Sequence, residues 1–226
     1  MTVVRVAAVI PAFNEADTIR SVISGLAASL AHVVVVDDGS TDGTAERSRE
    51  AGAEVLVHER NLGKGRAVRT GLARVLAGDF THVLLIDGDM QHLPAEASRL
   101  IHAAETSHAD VVIGERAFKR SEMPASRYHA NRIGSRVLSW FVGVPLGDTQ
   151  CGFRIFRTDA LRPLVLSATG YEIETEMLVK VRRRGGRVAS VPVTAVYSGQ
   201  RSKLRPVRDT TRTCFLAVYY RFLERF

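Results

Sequence analysis

The chain has 226 residues, 46% hydrophobic and 24% charged, enough for one large α/β domain with a small appendage. Its net charge of +7 favours anionic partners such as nucleotides, phosphorylated substrates or acidic surfaces. Two cysteines, Cys151 and Cys214, make neither a disulfide framework nor a zinc pattern, and no apolar run reaches the roughly 18 residues needed to cross a bilayer.

Val3 to Ile10 reads as a buried strand with Pro11 to Asn14 as the loop after it. Starting so early, it argues against a signal peptide, and both cysteines read as reduced thiols of a cytosolic protein. Glu15 to Leu30 predicts a helix, with Ile19, Val22, Ile23, Leu26 and Leu30 on one face. His32 to Asp37 is a second strand, and the turn Asp38 to Gly43 leads into a helix ending near Ala51, with Ser40 or Thr41 as its capping residue. Glu54 to His58 is a third strand, followed by the glycine-rich Asn61-Leu-Gly-Lys-Gly-Arg66 and a helix from Lys64 to Leu76. His82 to Asp87 and Asp110 to Gly114 are the fourth and fifth strands, with a helix from Ala95 to Glu105 between them. This alternation predicts an α/β fold, a parallel sheet with helices on both faces.

The order then changes. Glu115 to Ser126 reads as a mobile basic loop and Arg127 to Val142 as a helix. Gly152 to Arg157 is a short strand, Glu172 to Arg184 a helix, and Arg187 to Tyr197 a strand interrupted by Pro192. A loop rich in Arg and Lys, Ser198 to Arg205, precedes a helix from Pro206 to Phe226. The apolar stripe of that helix suits docking on the domain, pairing in a homodimer, or peripheral contact with a membrane surface.

Chemistry gathers at the strand ends. Val83-Leu-Leu-Ile86 stops abruptly at Asp87-Gly-Asp89-Met-Gln91. Carboxylates at the carboxyl end of a buried parallel strand face the crevice where open α/β sheets bind ligands. Two of them need compensating charge, and Mg²⁺ or Mn²⁺ shared with a diphosphate supplies it. The plainer alternative is a polar turn. Glu15 and Asp38 are placed to accept hydrogen bonds from ribose hydroxyls or base N–H groups. Lys64 and the backbone N–H groups around it suit an anion, although the spacing is not that of a Walker loop. So carboxylate-rich a crevice disfavours nucleic acid.

Ile10-Pro-Ala-Phe-Asn-Glu15, Val36-Asp-Asp-Gly-Ser-Thr-Asp42, Asn61-Leu-Gly-Lys-Gly65 and Asp87-Gly-Asp-Met-Gln91, in this order, resemble the GT-A domain of family-2 glycosyltransferases. Within that family the chain is most similar to the dolichol- or polyprenol-phosphate mannose synthase group, from about Val3 to Asp209. The resemblance implies a Rossmann-like, mixed but mostly parallel sheet over residues 1–205, with residues 206–226 as an appended amphipathic helix. It implies a GDP- or UDP-linked sugar donor and inversion at the anomeric carbon. Pro11, Ala12, Phe13, Glu15 and Asp38 would lie around the nucleoside, with Lys64, Asp87, Gly88 and Asp89 also on the donor. Asp87, Asp89 and Gln91 would hold the metal. Gln150-Cys-Gly-Phe-Arg154, Tyr171-Glu-Ile-Glu-Thr-Glu176 and Arg201-Ser-Lys203 match segments of the family's second half.

Transfer must stabilise a departing diphosphate, a task for a metal at Asp89 with Arg201 and Lys203. A hydroxyl acceptor needs a base, for which Glu172, Glu174 and Glu176 are candidates. A phosphate acceptor needs only cations, for which Arg116, Arg127 and Arg132 are candidates. The abundance of arginine favours a lipid phosphate. The alternatives are a soluble transferase acting on a sugar or metabolite hydroxyl, and a nucleotide-sugar-binding module without transfer. A cytoplasmic protein, peripheral at the inner membrane face, is the expected setting.

Overall fold

The structure, a computed structural model, describes residues 4–27, 29–30, 32–116, 125–149, 151–196 and 219, with the backbone alone at 125–131 and 141–142. Its strands are β1 (Val6–Ala12), β2 (His32–Asp37), β3 (Glu54–Val57), β4 (His82–Leu85), β5 (Val111–Arg116), β6 (Arg154–Arg157) and β7 (Val188–Val193). They form one sheet in the order β3-β2-β1-β4-β6-β5-β7. The helices are α1 (Ile19–Ala27), α2 (Thr44–Glu50), α3 (Lys64–Leu76), α4 (Ala97–Ser107), α5 (Ala125–Val142), α6 (Thr158–Leu161) and α7 (Ile173–Arg183).

The apolar runs become central strands because both faces are covered. Val34, Val35, Val36, Val83 and Leu84 have no exposed surface. At about 1.5–3 kcal/mol for each large apolar side chain, these runs are the main source of cohesion. Two helical groups cover the sheet. In one, α1 packs on α2 and on the 3₁₀ turn Pro94–Glu96 before α4; in the other, α7 packs on α3, α5 and α6. As expected, Ile19, Val22, Ile23 and Leu26 of α1 are buried, as are Val68, Leu72 and Val75 of α3.

The sheet is mixed because β6 enters between β4 and β5 and runs antiparallel to both, Ile155 lying opposite Leu84 and Val112. Strand–helix alternation stops at β5, so periodicity alone does not reveal this insertion. The remaining pairs are parallel. β7 continues through Pro192, which it tolerates as an edge strand.

β1 extends to Ala12, past the predicted loop start at Pro11. Pro11 sits in a central strand without a clash of pairing. Ala12 O accepts Asp38 N–H on the β2 side, whereas Val9 O accepts Ile86 N–H on the β4 side. Alternation therefore turns the donorless nitrogen of Pro11 toward β4, beyond the last β4 pair, Val9 with Leu85. The same early end of β4 opens a gap beside β1. α1 begins at Ile19, later than the predicted Glu15, after a turn in which Glu15 O accepts the N–H groups of Thr18 and Ile19.

Residues 117–124 of the predicted basic loop, the Ser198 to Arg205 loop and, apart from Tyr219, the predicted C-terminal helix lie outside the described residues. Among the described residues, no helix is long and apolar enough to cross a membrane.

Candidate active site

The carboxyl ends of β1, β2 and β4 converge on a cavity of about 530 Å³, within the range of small-ligand sites. Its first wall is two loops tied to each other. Asn14 N–H donates to Ser40 Oγ (2.9 Å), and Thr41 N–H donates to Asn14 Oδ1 (3.0 Å). Glu15 N–H donates to Thr44 Oγ1 and Ala16 N–H to Asp42 Oδ2. Ser40 is thus spent on the neighbouring loop, and neither it nor Thr41 caps α2, which is preceded by Gly43 without a side-chain cap. Gly39, at φ 77°, cannot be replaced without strain, because a Cβ there would lie 2.5 Å from the Arg60 carbonyl carbon. Pro11, Ala12, Phe13 and Glu15 all line this part of the cavity.

Asp38 also lines it, but its carboxylate is engaged. Oδ1 accepts Leu62 N–H (3.0 Å) and lies 2.6 Å from His58 Nδ1, while Oδ2 accepts Gly63 N–H (2.8 Å). His58 Nε2 lies 3.0 Å from Thr70 Oγ1. Asp38 therefore fixes the glycine-rich turn that presents Lys64.

Asp87, Gly88, Asp89 and Gln91 form the floor. Met90 between them adopts φ 59°, a left-handed conformation uncommon for a residue with a side chain. The Gln91 amide donates to Asp89 Oδ2 (2.7 Å), and Gln91 N–H donates to Asp89 Oδ1 (3.1 Å). Burial, and then the charge of Asp87, push the Asp89 carboxyl up to about 6. Burial would raise the Asp87 carboxyl as well, but the Lys64 ammonium at 2.6 Å holds it below the usual carboxylate range. The floor thus carries more negative charge than its neighbours neutralise. That excess, presented on oxygens, fits a hard divalent cation. Among the described residues, no set of three His, Cys, Asp or Glu side chains is arranged to hold an ion, so ligand phosphates would complete the shell.

The opposite wall comes from the second half of the chain. Lys64 Nζ reaches across to Glu174 Oε1 (2.7 Å) and lies 5.4 Å from the centroid of the Tyr171 ring. Its ammonium is strongly favoured by the two carboxylates, which outweigh the cost of burial. Gly152 closes over this group: a Cβ there would lie 2.6 Å from Asp87 Oδ2 and 3.3 Å from Lys64 Nζ. Arg154, with no exposed surface, donates to Thr149 O (2.6 Å), Cys151 O (2.7 Å) and Glu174 O (2.9 Å). It pins the turn before β6 to the first turn of α7.

The three candidate bases separate. Glu176 is fully buried and accepts from Ser167 N–H and Oγ, Ala168 N–H and Lys180 Nζ. Its place is structural, and the expectation of a base there fails because helical spacing turns it away from the cavity. Glu172 accepts Gly170 N–H, and Glu174 alone of the three lines the cavity. Arg116 lines it too, held by Asp148 through Nε (2.5 Å) and Nη2 (3.2 Å). Arg132 is exposed on α5 and does not line the cavity; Arg127 lies on the same helix. Arg201 and Lys203 lie outside the described residues.

His92 and Cys151 are a buried pair that sequence reading missed, with Cys151 Sγ 3.6 Å from His92 Nε2. Burial and then Arg116 push the imidazole down to about 4, and burial and then Asp148 push the thiol up to about 12. Both are neutral, so this is no thiolate nucleophile.

A family model described as glycosyl transferase family 2 matches residues 7–165. Glycosyltransferase AglJ of Haloferax volcanii is 34% identical over 218 residues, covering 93% of this chain and 70% of that protein. Undecaprenyl-phosphate mannosyltransferase of Micrococcus luteus is 33% identical over 205 residues, covering 85% and 84%. Among solved structures, glucosyl-3-phosphoglycerate synthase of Mycobacterium tuberculosis, in complex with Mn²⁺, UDP-glucose and glycerol 3-phosphate, superposes with a TM-score of 0.72 at 25% identity, covering 96% of this chain and 79% of that one.

Proposed function

The chain belongs to glycosyl transferase family 2 and has the GT-A fold, and from that premise we propose that it moves a hexose, mannose or glucose, from a GDP- or UDP-linked donor to a polyprenyl phosphate. The observation that carries the acceptor class is the state of the α7 carboxylates. Glu176 is saturated by four donors, Glu172 caps the turn at Gly170, and Glu174 is ion-paired with Lys64. None is held in reserve to deprotonate a hydroxyl. A phosphate monoester is already anionic and needs only cations. Arg116, oriented by Asp148, supplies one in the cavity; Arg132, exposed on α5, and Arg127, on the same helix, are further candidates. The mannosyltransferase relative, whose name specifies undecaprenyl phosphate, supports this class.

In the proposed reaction an acceptor phosphate oxygen attacks the anomeric carbon from the face opposite the diphosphate. The new C–O bond forms as the bond to the leaving diphosphate breaks, which inverts the configuration. Pro11, Phe13 and Glu15 border the nucleoside, and Asp38 acts at one remove by ordering the Leu62–Gly63 turn. Asp87, Asp89 and Gln91 would hold Mg²⁺ or Mn²⁺, which when bound screens the charge of the diphosphate. Arg201 and Lys203 would assist from the late basic loop, and the C-terminal helix would bring the protein to the cytoplasmic membrane surface or to a second subunit.

A second reading keeps the donor site and changes the acceptor to a small metabolite, because the solved neighbour is a complex with both UDP-glucose and glycerol 3-phosphate. The deciding experiment incubates the protein with UDP- and GDP-linked hexoses, Mn²⁺, and either a short polyprenyl phosphate or 3-phosphoglycerate. Lipid-linked hexose is the expected product. Transfer only to the metabolite overturns the acceptor class, and no transfer to either favours a binding module.

A further inference from the structure

Lys64 stands in a cage that its place in a glycine-rich loop does not foretell. Its ammonium lies between Asp87 on the floor (2.6 Å) and Glu174 on the opposite wall (2.7 Å), with the Tyr171 ring as a third side. Gly152 leaves no slack, since even a Cβ there would crowd both Nζ and Asp87 Oδ2. The lysine side chain is 15% exposed, Glu174 10% and Asp87 29%. A cation so held, while still lining the cavity, links two elements far apart in sequence.

We propose that Lys64 is a positioning residue that couples Glu174 to the orientation and availability of Asp87, so that the α7 wall tunes the affinity of the floor for a divalent cation and diphosphate. The proposal rests on the donor-site reading above. The ammonium divides its attraction between two carboxylates. If Glu174 is shortened or neutralised, Lys64 settles on Asp87 alone and competes there with the incoming cation. Glu174 thereby acts on the donor site without touching the donor.

The test is calorimetric titration of the full chain with UDP and with GDP, each with Mn²⁺, for wild type, Glu174→Gln and Glu174→Asp. The same Glu174 changes are repeated in a Lys64→Met background, with a thermal scan of each variant. Aspartate keeps the charge but withdraws the carboxylate by about one methylene, roughly 1.5 Å, beyond hydrogen-bond reach of Nζ. Both Glu174 variants are expected to weaken Mn²⁺-dependent nucleotide binding at least about fivefold with Lys64 present. In the Lys64→Met background, where no ammonium remains to redirect, the loss should be less than about twofold. Wild-type affinity in Glu174→Asp, or equal losses in both backgrounds, overturns the coupling. If Lys64→Met does not fold, the Asp and Gln variants decide alone. Failure of the wild type to bind either nucleotide with Mn²⁺ overturns the donor-site reading and the inference with it; wild-type binding with unaffected Glu174 variants overturns the inference only.

Discussion

Replacing Arg154 by methionine should cost about 3 kcal/mol of folding stability. The guanidinium is wholly buried and satisfies three carbonyls, those of Thr149, Cys151 and Glu174, at 2.6–2.9 Å. Thr149 O and Cys151 O would be left without this donor at about 1–3 kcal/mol each, and Glu174 O, inside α7, would lose a second donor worth about 1 kcal/mol, so the losses amount to roughly 3–7 kcal/mol. Removing a charge that burial disfavours returns a few kcal/mol, which brings the net to the lower end of that range. In a chain of this size a loss of about 3 kcal/mol lowers Tm by roughly 6–12 °C. Urea unfolding followed by circular dichroism measures the change. Arg154→Lys is the control: an ammonium keeps the charge but cannot present a planar fork to three carbonyls, so it should recover less than half the loss. A change under about 1 kcal/mol in the methionine variant, or full recovery by lysine, would refute the reasoning.

Asp89→Asn should reduce kcat/KM at least about 10³-fold, since the charge stabilisation supplied at such a metal site is several kcal/mol. The metal-free variant should melt no lower than wild type, because burial and repulsion from Asp87 already disfavour this carboxylate; full activity with a retained metal requirement would contradict the assignment. Gly152→Ala would drive a methyl into Asp87 Oδ2, raising KM for the donor more than it lowers kcat, as steady-state kinetics would report. Glu176 is held below the ordinary carboxyl range: burial would raise it, but Lys180 and the N–H groups of Ala168 and Ser167 prevail. Its stabilising contribution is therefore full above about pH 4.5, the unfolded value, and is lost as pH falls through the lower folded value. Glu176→Gln should flatten that acid limb in denaturation curves measured from about pH 6 to about pH 3, and an unchanged limb would exclude this source.

The side of the cavity built by the ends of β1, β2 and β4 was legible because local rules govern it. Apolar runs that stop at Pro11, Asp37 and Asp87 mark strand ends, and parallel neighbours bring those ends together without further information. The opposite wall follows no local rule. Glu176 meets Lys180 one helical turn on, a local i,i+4 pair, but only the docking of α7 against α3 decides that Glu174 meets Lys64. Arg154 stands out in the sequence only as the end of a segment that resembles the family's, and no local pattern foretells that β6 carries it into the core. Asp148, which orients Arg116, had no signal beyond its charge. Asp38 was legible as a crevice residue, but its partners arrive from a different turn, so its engagement was not.

The excursion that leaves β5 and returns as β6 starts and finishes at one spot. Gly114 N–H donates to Phe153 O at 2.9 Å, and Ile113 lies opposite Arg154 in the ladder. The two ends of such an insert are fixed by adjoining strands. Its length and chemistry can diverge while the strand ends of β1, β2 and β4 keep their geometry.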